Sequence, residues 1–124
     1  MARKLPPPRE AVMAIYSWII EATDQQPPRA ALAAACRATL YTLETIAPGA
    51  SVEVRVPPFA AIQCIPGPAH TRGTPPNIVE MDPKTWLRLA CGLEEFADNP
   101  RISASGTRAQ EISGYLPIVK VSAR

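Results

Sequence analysis

Proline is the residue that most constrains this chain, since 15 of its 124 residues are prolines. Because proline lacks a backbone N–H and its ring clashes with the preceding helical turn, regular structure is confined to the stretches between prolines. The prolines cluster at residues 6–8, 27–28, 57–58, 66–68 and 75–76. The gaps that remain at residues 9–26, 29–47 and 84–99 are each long enough to hold a helix.

Hydrophobic periodicity predicts one helix in each of these three gaps. In the first gap, apolar residues recur about every 3.6 positions between Val12 and Ala22. The second gap is rich in alanine, and a proline–glycine pair ends it. The third helix has the clearest start, with Asp82 as its N-cap and Pro83 at its first position, and we expect it to span residues 83–97.

The other segments have the pattern of β-strands. Residues 52–56 alternate apolar and charged side chains, which is typical of an antiparallel strand with one buried face. We expect further strands at residues 59–65, 78–81, 101–105 and 118–121, and a short helix at residues 107–112. The sequence therefore predicts an α+β fold in which helices pack on one face of a mostly antiparallel five-stranded sheet.

Length and composition indicate a single domain over residues 1–124, with residues 1–8 as a flexible N-terminal tail. Hydrophobic residues make up 47% of the chain, and its net charge is +2, which is too small to predict a nucleic-acid partner. The longest apolar stretch near the N-terminus is too short to span a bilayer, so we expect no stable membrane insertion. No apolar run precedes the first prolines, so we expect no secretory signal.

Cysteine and histidine are the residue types best suited to catalysis or metal binding. The three cysteines, Cys36, Cys64 and Cys91, are odd in number and widely spaced, which indicates reduced thiols in a cytoplasmic protein. A Cys64–His70 dyad would need an exposed thiolate, but strand alternation places Cys64 on an apolar face. We therefore expect inert thiols, no catalytic residues, no metal site and no cofactor.

A set of bulky apolar residues has two interpretations. They fill an ordinary core, or they line a cavity that accepts a hydrophobic ligand, because such cavities are built from the same side chains. Periodicity does not distinguish the two. The candidate cavity residues are Phe59, Ile62, Trp86, Leu89, Leu93, Phe96 and Leu116.

The segment at residues 66–77 is a long connection rich in glycine and proline between two predicted strands. It is either a plain surface connection or a functional loop, since long loops without regular structure are often functional. As a functional loop it would use His70 and Arg72 to contact an anionic head group or a partner's carboxylate.

Three stretches carry a resemblance to a known family. Residues 54–64 (Val-Arg-Val-Pro-Pro-Phe-Ala-Ala-Ile-Gln-Cys) and 67–77 (Gly-Pro-Ala-His-Thr-Arg-Gly-Thr-Pro-Pro-Asn) resemble bacterial proteins of the sterol carrier family. Residues 82–92 are similar to the Asp-x-x-x-Trp-x-x-Leu-x-x-Gly stretch of sterol-carrier-like domains. The likeness covers residues 30–121, and the C-terminal domain of mycothiol-dependent maleylpyruvate isomerase is similar to this part as well.

The resemblance implies helices on one face of a sheet and, in lipid-carrying members, a hydrophobic tunnel. It implies no catalysis by this domain alone, and the metal-binding helical bundle of the isomerase has no counterpart in this sequence. We therefore expect a non-enzymatic protein, a monomer or weak homodimer, that binds or carries a lipid-like molecule in an internal cavity. The alternative is a protein-interaction module that uses the 66–77 loop and has no cavity. A thiol-dependent enzyme is a third hypothesis, which only the isomerase likeness suggests.

Overall fold

A computed structural model describes residues 5–23, 25–67 and 77–121. These residues form helices and one sheet, so the predicted α+β class is confirmed. The elements in chain order are α1 (Pro8–Met13), α2 (Tyr16–Ile20), α3 (Arg29–Ile46), β1 (Val52–Val56), β2 (Ala60–Cys64), β3 (Asn77–Glu80), α4 (Pro83–Ala90), β4 (Ser103–Ser105) and a 3-10 helix (Ala109–Tyr115).

The sheet has four strands in the order β2-β1-β3-β4, and it is mixed. β1 is antiparallel to β2, with Val54 opposite Ile62, but it is parallel to β3, with Val54 opposite Val79. β3 and β4 are antiparallel. The expectation of a five-stranded sheet is therefore wrong, since the described residues form four strands and the central pair is parallel. Parallel strands need a connection of about a dozen residues, and the sequence between Cys64 and Asn77 has that length.

The predicted fifth strand at residues 118–121 does not form. Instead, the N–H groups of Ile118 and Val119 donate to the carbonyl of Ala90, at 2.7 and 3.0 Å. Helix ends leave carbonyls without partners, and this segment supplies donors to one such carbonyl at the end of α4. Val119 is buried in the core, so the segment contributes an apolar side chain to the core but no strand to the sheet.

The apolar segment after the first prolines forms two short helices rather than one. Ile15 lies between them with φ −125° and ψ 20°, outside helical geometry. Val12, Ile15 and Ile19 are nevertheless all buried, as the periodicity predicts. α1 packs on α3 and α2 packs on α4, so the interruption lets one apolar face meet two different helices.

Helix α4 is shorter than the predicted 83–97. It ends because Gly92 takes the left-handed conformation, with φ +75°. The N–H of Leu93 donates to the Arg88 carbonyl and that of Gly92 to the Leu89 carbonyl, which is the hydrogen-bond pattern of a Schellman cap. Gly92 lies inside the predicted span and is the C-terminal stop of the helix.

The core lies between the helices and one face of the sheet. Val52, Val54 and Val56 are buried at alternate positions of β1, and α3 packs against β2. Trp86 of α4 is fully buried, and its indole N–H donates to the Thr39 hydroxyl of α3 at 2.8 Å. This hydrogen bond offsets the cost of burying two polar groups and ties α4 to α3.

Candidate functional site

A cleft of about 370 Å³ opens where α2, α3, α4 and the turn between β1 and β2 meet. Pocket volumes for small organic ligands run from about 300 to 1,000 Å³, so the cleft lies near the lower end of that range. It combines aromatic, aliphatic, charged and amide side chains. The lining residues are Trp18, Thr23, Gln26, Arg29, Leu32, Pro58, Phe59, Asp82, Pro83 and Lys84.

Asp82 positions the α4 side of the cleft. Its carboxylate accepts from the backbone N–H groups of Lys84 and Thr85, at 3.1 and 3.3 Å, and from the Thr85 hydroxyl at 2.6 Å. These bonds satisfy orphan donors of the first helical turn, as the predicted N-cap should. The cap also fixes the place from which the Lys84 side chain extends into the cleft.

Two cations of the lining each lie over an aromatic ring of the same lining. The Arg29 guanidinium carbon is 5.2 Å from the centre of the Phe59 ring, and the Lys84 ammonium is 4.8 Å from that of Trp18. Both distances are within the range of cation–π attraction. The Lys84 ammonium also donates to the Glu21 carbonyl, which holds the end of α2 against α4.

The β1–β2 turn is held in place by α3. The Arg37 side chain donates through Nε to the carbonyl of Phe59 at 3.1 Å. Pro57 and Pro58 occupy the turn and are exposed, while Phe59 is 8% exposed. The Phe59 ring is thus fixed at the cleft by a backbone contact as well as by its neighbours.

The predicted cavity residues lie in two places. Phe59 lines the cleft, whereas Ile62, Trp86 and Leu89 are buried in the core with 3%, 0% and 1% of their surface exposed. The other three residues are partly buried and pack against that core: Leu93, Phe96 and Leu116.

Sequence reasoning missed Trp18, Arg29 and Lys84 as site residues. Trp18 belongs to the apolar pattern of the first gap, which marks it as a core residue and nothing more. Arg29 and Lys84 begin helices that are more than 50 positions apart, so no local spacing relates them. The juxtaposition depends on the tertiary fold alone.

The predicted polar loop residues His70 and Arg72 lie outside the described residues. The first and last residues of that segment, Pro66 and Asn77, are described, and three hydrogen bonds hold them in place. The buried side chain of Asn77 donates to the Ser51 carbonyl at 2.8 Å and accepts from the Arg108 N–H at 2.9 Å. The Arg108 guanidinium in turn donates to the Pro66 carbonyl at 2.9 Å.

A second cleft of about 470 Å³ is lined by more charged side chains and shares Asp82 and Lys84 with the first. Its charged groups are mostly paired. Arg88 donates to Glu94 at 2.9 Å and to the Ile19 carbonyl at 2.8 Å, and Arg101 contacts the same glutamate at 3.2 Å. Because these cations already have partners, this cleft offers a ligand less than the first one does.

All three thiols are buried, as predicted for Cys64. Burial raises the pKa of Cys36 to about 12, and it raises the pKa values of Cys64 and Cys91 to about 11. A thiolate is the reactive form of cysteine, and burial disfavours that charged form. These thiols therefore remain protonated at neutral pH.

Within residues 5–23, 25–67 and 77–121, no helix is both long and apolar enough to cross a bilayer. In the same ranges, no three His, Cys, Asp or Glu side chains come close enough together to hold a metal ion.

These features define a small α+β domain with helices packed against a four-stranded sheet and a cleft at one end of its central strands. Residues 28–118 match the family described as "Bacterial SCP ortholog", and the chain belongs to this family. The resemblance predicted from the proline-rich block and from residues 82–92 is thereby confirmed. No curated protein matches the chain significantly. The family match includes the cleft residues from Arg29 onward, and Trp18 precedes it.

Proposed function

We propose that the chain binds a hydrophobic, lipid-like molecule in the cleft and does not transform it chemically. The observation that carries this proposal is that core side chains reach the cleft wall. Trp18, Leu32 and Phe59 belong to the hydrophobic core, and all three also line the cleft. A ligand seated there would bury its apolar part against side chains that the fold already holds in place.

Family membership supports the same proposal, because the family is one of sterol-carrier-like domains. The finer form of the proposal is that the apolar part of the ligand continues into an internal cavity among Ile62, Trp86 and Leu89. These residues belong to the same core cluster as Phe59, so the ligand would have to displace packed side chains. Trp86→Phe should then strengthen binding of the longest ligands, whereas the affinity of a ligand confined to the cleft should not change.

The raised pKa values of the three cysteine thiols support the non-enzymatic part of the proposal. A thiol-dependent mechanism would need a thiolate at the surface of the site. We expect the native protein to resist alkylation by iodoacetamide at neutral pH and to react at all three positions once unfolded. Rapid alkylation of native Cys64 would reopen the thiol-enzyme hypothesis.

Titration with the neutral fluorescent probe N-phenyl-1-naphthylamine tests the binding site directly. We expect saturable binding of one probe, with increased emission, to the wild-type chain. Gln26 is exposed and lines the cleft, so Gln26→Trp should fill the cleft and abolish binding. Gln25 is also exposed but does not line the cleft, which makes Gln25→Trp the matched control. Equal binding by the two variants would place the site elsewhere, and failure of the wild-type chain to bind would refute the proposed function.

A further inference from the structure

Positive charges outnumber negative ones among the described lining residues of the cleft, and this excess favours an anionic ligand. Arg29, Lys84 and Asp82 are its charged lining residues in the described part of the chain, and together they carry a net charge of +1. The Asp82 carboxylate is turned to the start of α4 and already accepts three hydrogen bonds there. The two cations therefore dominate the charge that the open part of the cleft presents.

The Arg29 guanidinium still has donors to offer. Its central carbon lies over the Phe59 ring, 5.2 Å from the ring centre, and the guanidinium forms no hydrogen bond or ion pair with any other described residue. A guanidinium has five N–H donors around its edge, in a fork that fits the two oxygens of a carboxylate. The cation–π contact restrains the side chain, so less freedom is lost when an anion binds to it.

Lys84 is partly satisfied and partly available. Its ammonium has three donors, and one of them goes to the Glu21 carbonyl. The same ammonium lies over Trp18, which restrains its position in the cleft. Two cations, each held over an aromatic ring, thus border an apolar wall that includes Leu32.

We infer that the cleft selects a single-chain amphiphile with one carboxylate head group, bound by Arg29 and Lys84 with its aliphatic chain against Trp18, Leu32 and Phe59. This inference rests on the proposed function. A monoanion neutralises the net charge of the described lining residues, whereas a phosphate monoester dianion exceeds it. The volume of about 370 Å³ suits one aliphatic chain better than two. A neutral amphiphile such as a sterol or an alcohol supplies neither cation with an anion.

Displacement of bound N-phenyl-1-naphthylamine by matched amphiphiles tests the head group. We expect dodecanoate to displace the probe at a concentration about tenfold lower than dodecan-1-ol does. A tenfold difference in affinity is what one charge-assisted hydrogen bond contributes in a solvent-accessible cleft. Added salt should reduce this difference by weakening dodecanoate and not the alcohol. Dodecyl phosphate should not bind more tightly than dodecanoate.

Charge variants assign the selectivity to the two cations. Arg29→Gln and Lys84→Gln should each lower the acid-to-alcohol preference severalfold. Arg101→Gln removes the same charge from an exposed side chain outside this cleft, so it should keep the full preference. Circular dichroism and the melting temperature establish that each variant is folded.

The outcomes separate the two hypotheses. Equal displacement by the acid and the alcohol overturns the carboxylate inference and leaves the proposed function standing. Tighter displacement by dodecyl phosphate overturns the inference in favour of a dianionic head group. An equal loss of preference in Arg101→Gln overturns the assignment to Arg29 and Lys84. If the probe itself does not bind, both the inference and the proposed function fail.

Discussion

The two ends of the parallel strand pair β1–β3 are built differently. At the amino ends, Val52 lies opposite Asn77, and neutral hydrogen bonds close the structure around the buried Asn77 side chain. At the carboxyl ends, β1 runs into the Pro57-Pro58 turn and β3 runs into Asp82, and both lead to the wall of the cleft. We call these the closed end and the open end.

Neighbouring atoms approach two glycines of the closed end closely. A Cβ atom at Gly49 would lie 2.1 Å from the Ile65 carbonyl oxygen, and one at Gly67 would lie 2.3 Å from both the Arg108 guanidinium and the Ser51 hydroxyl. Glycine is the residue that permits such close approach. The open end instead ends in rings and long charged side chains, which leave a cleft between them.

One short strand pair thus serves two tasks. The hydrogen bonds of a buried amide fix strand register at the closed end, because each unmade bond would be costly there. At the open end, each cation lies over an aromatic ring, which restrains it without using all of its donors. Side chains that bind a ligand can therefore lie at the open end without weakening the hydrogen bonds of the closed end.

Substituting Gly49 should have the largest effect and tests how tight the closed end is. Gly49→Ala places a methyl group against the Ile65 carbonyl in a backbone conformation, φ +147°, that alanine rarely adopts. We expect a loss of about 3 kcal/mol in the free energy of unfolding, from overpacking and backbone strain together. Urea denaturation measures it.

The matched control for Gly49→Ala is Gly114→Ala. No heavy atom in the described part of the chain lies within 4 Å of a Cβ built at Gly114. Its effect should stay within about 0.5 kcal/mol, as for ordinary surface substitutions. If the two variants are equally stable, the closed end is less tightly packed around Gly49 than the structure indicates.

Removing the Asn77 amide should have the next largest effect. Asn77→Ala leaves the Ser51 carbonyl and the Arg108 N–H without their partners in a buried place, which costs about 2 to 3 kcal/mol. Thermal denaturation measures the loss. Gln63→Ala, at an exposed amide on β2, should be close to neutral. Probe binding by folded Asn77→Ala should match that of the wild-type chain, and weakened binding would show that the two ends are coupled.

Asp82 is the residue of the open end at which stability and ligand selection can be separated. Asp82→Ala removes the cap of α4, and we expect a loss of about 1 kcal/mol in the free energy of unfolding. Asp82→Asn retains a capping oxygen and should lose less. It also removes the one carboxylate among the described lining residues, so dodecanoate should bind severalfold more tightly relative to dodecan-1-ol. Unchanged dodecanoate binding in Asp82→Asn would argue against charge selection at this end.

Local signals in the sequence predicted much of this architecture. The N-cap at Asp82, the apolar spacing through Val12 and Ile19, and the alternation of residues 52–56 all correspond to observed elements. Each of these features depends on a few residues that are close in sequence, so the sequence alone predicts it. The helix–sheet core follows from the same patterns, because every apolar face must be covered by another.

The parallel pairing of β1 with β3 could not be predicted in this way. Alternation of apolar residues within a strand reveals neither the direction nor the register of the neighbouring strand. The cleft was missed for the same reason, since the contacts of Arg29 with Phe59 and of Lys84 with Trp18 join distant parts of the chain. Sequence pattern marked Phe59 as apolar and could not place it at the boundary between core and cleft.

The smallest expected effect concerns pH and the pair Arg108–Glu111 at the closed end. The Glu111 carboxylate accepts from the Arg108 Nε and from one of its terminal nitrogens, both at 2.9 Å. Hydrogen bonding to this guanidinium lowers the pKa of Glu111 below its usual 4.5. A depressed carboxyl pKa contributes stability above the unfolded-state pKa, and this contribution is lost as the pH falls through the folded-state pKa.

Glu111→Gln should therefore lower the melting temperature slightly at neutral pH, and its difference from the wild-type chain should vanish once the pH falls below the lowered folded-state pKa of Glu111. Solvent reaches both side chains and screens their interaction, which is why the effect is small. Glu95→Gln removes an exposed carboxylate that has no ion pair among the described residues, and it should show no such convergence. A Glu111→Gln difference that persists unchanged at low pH would mean that the side chain stabilises the closed end through packing. The hydrogen bonds of Arg108 with Asn77 and Pro66 would then account for its position without help from Glu111.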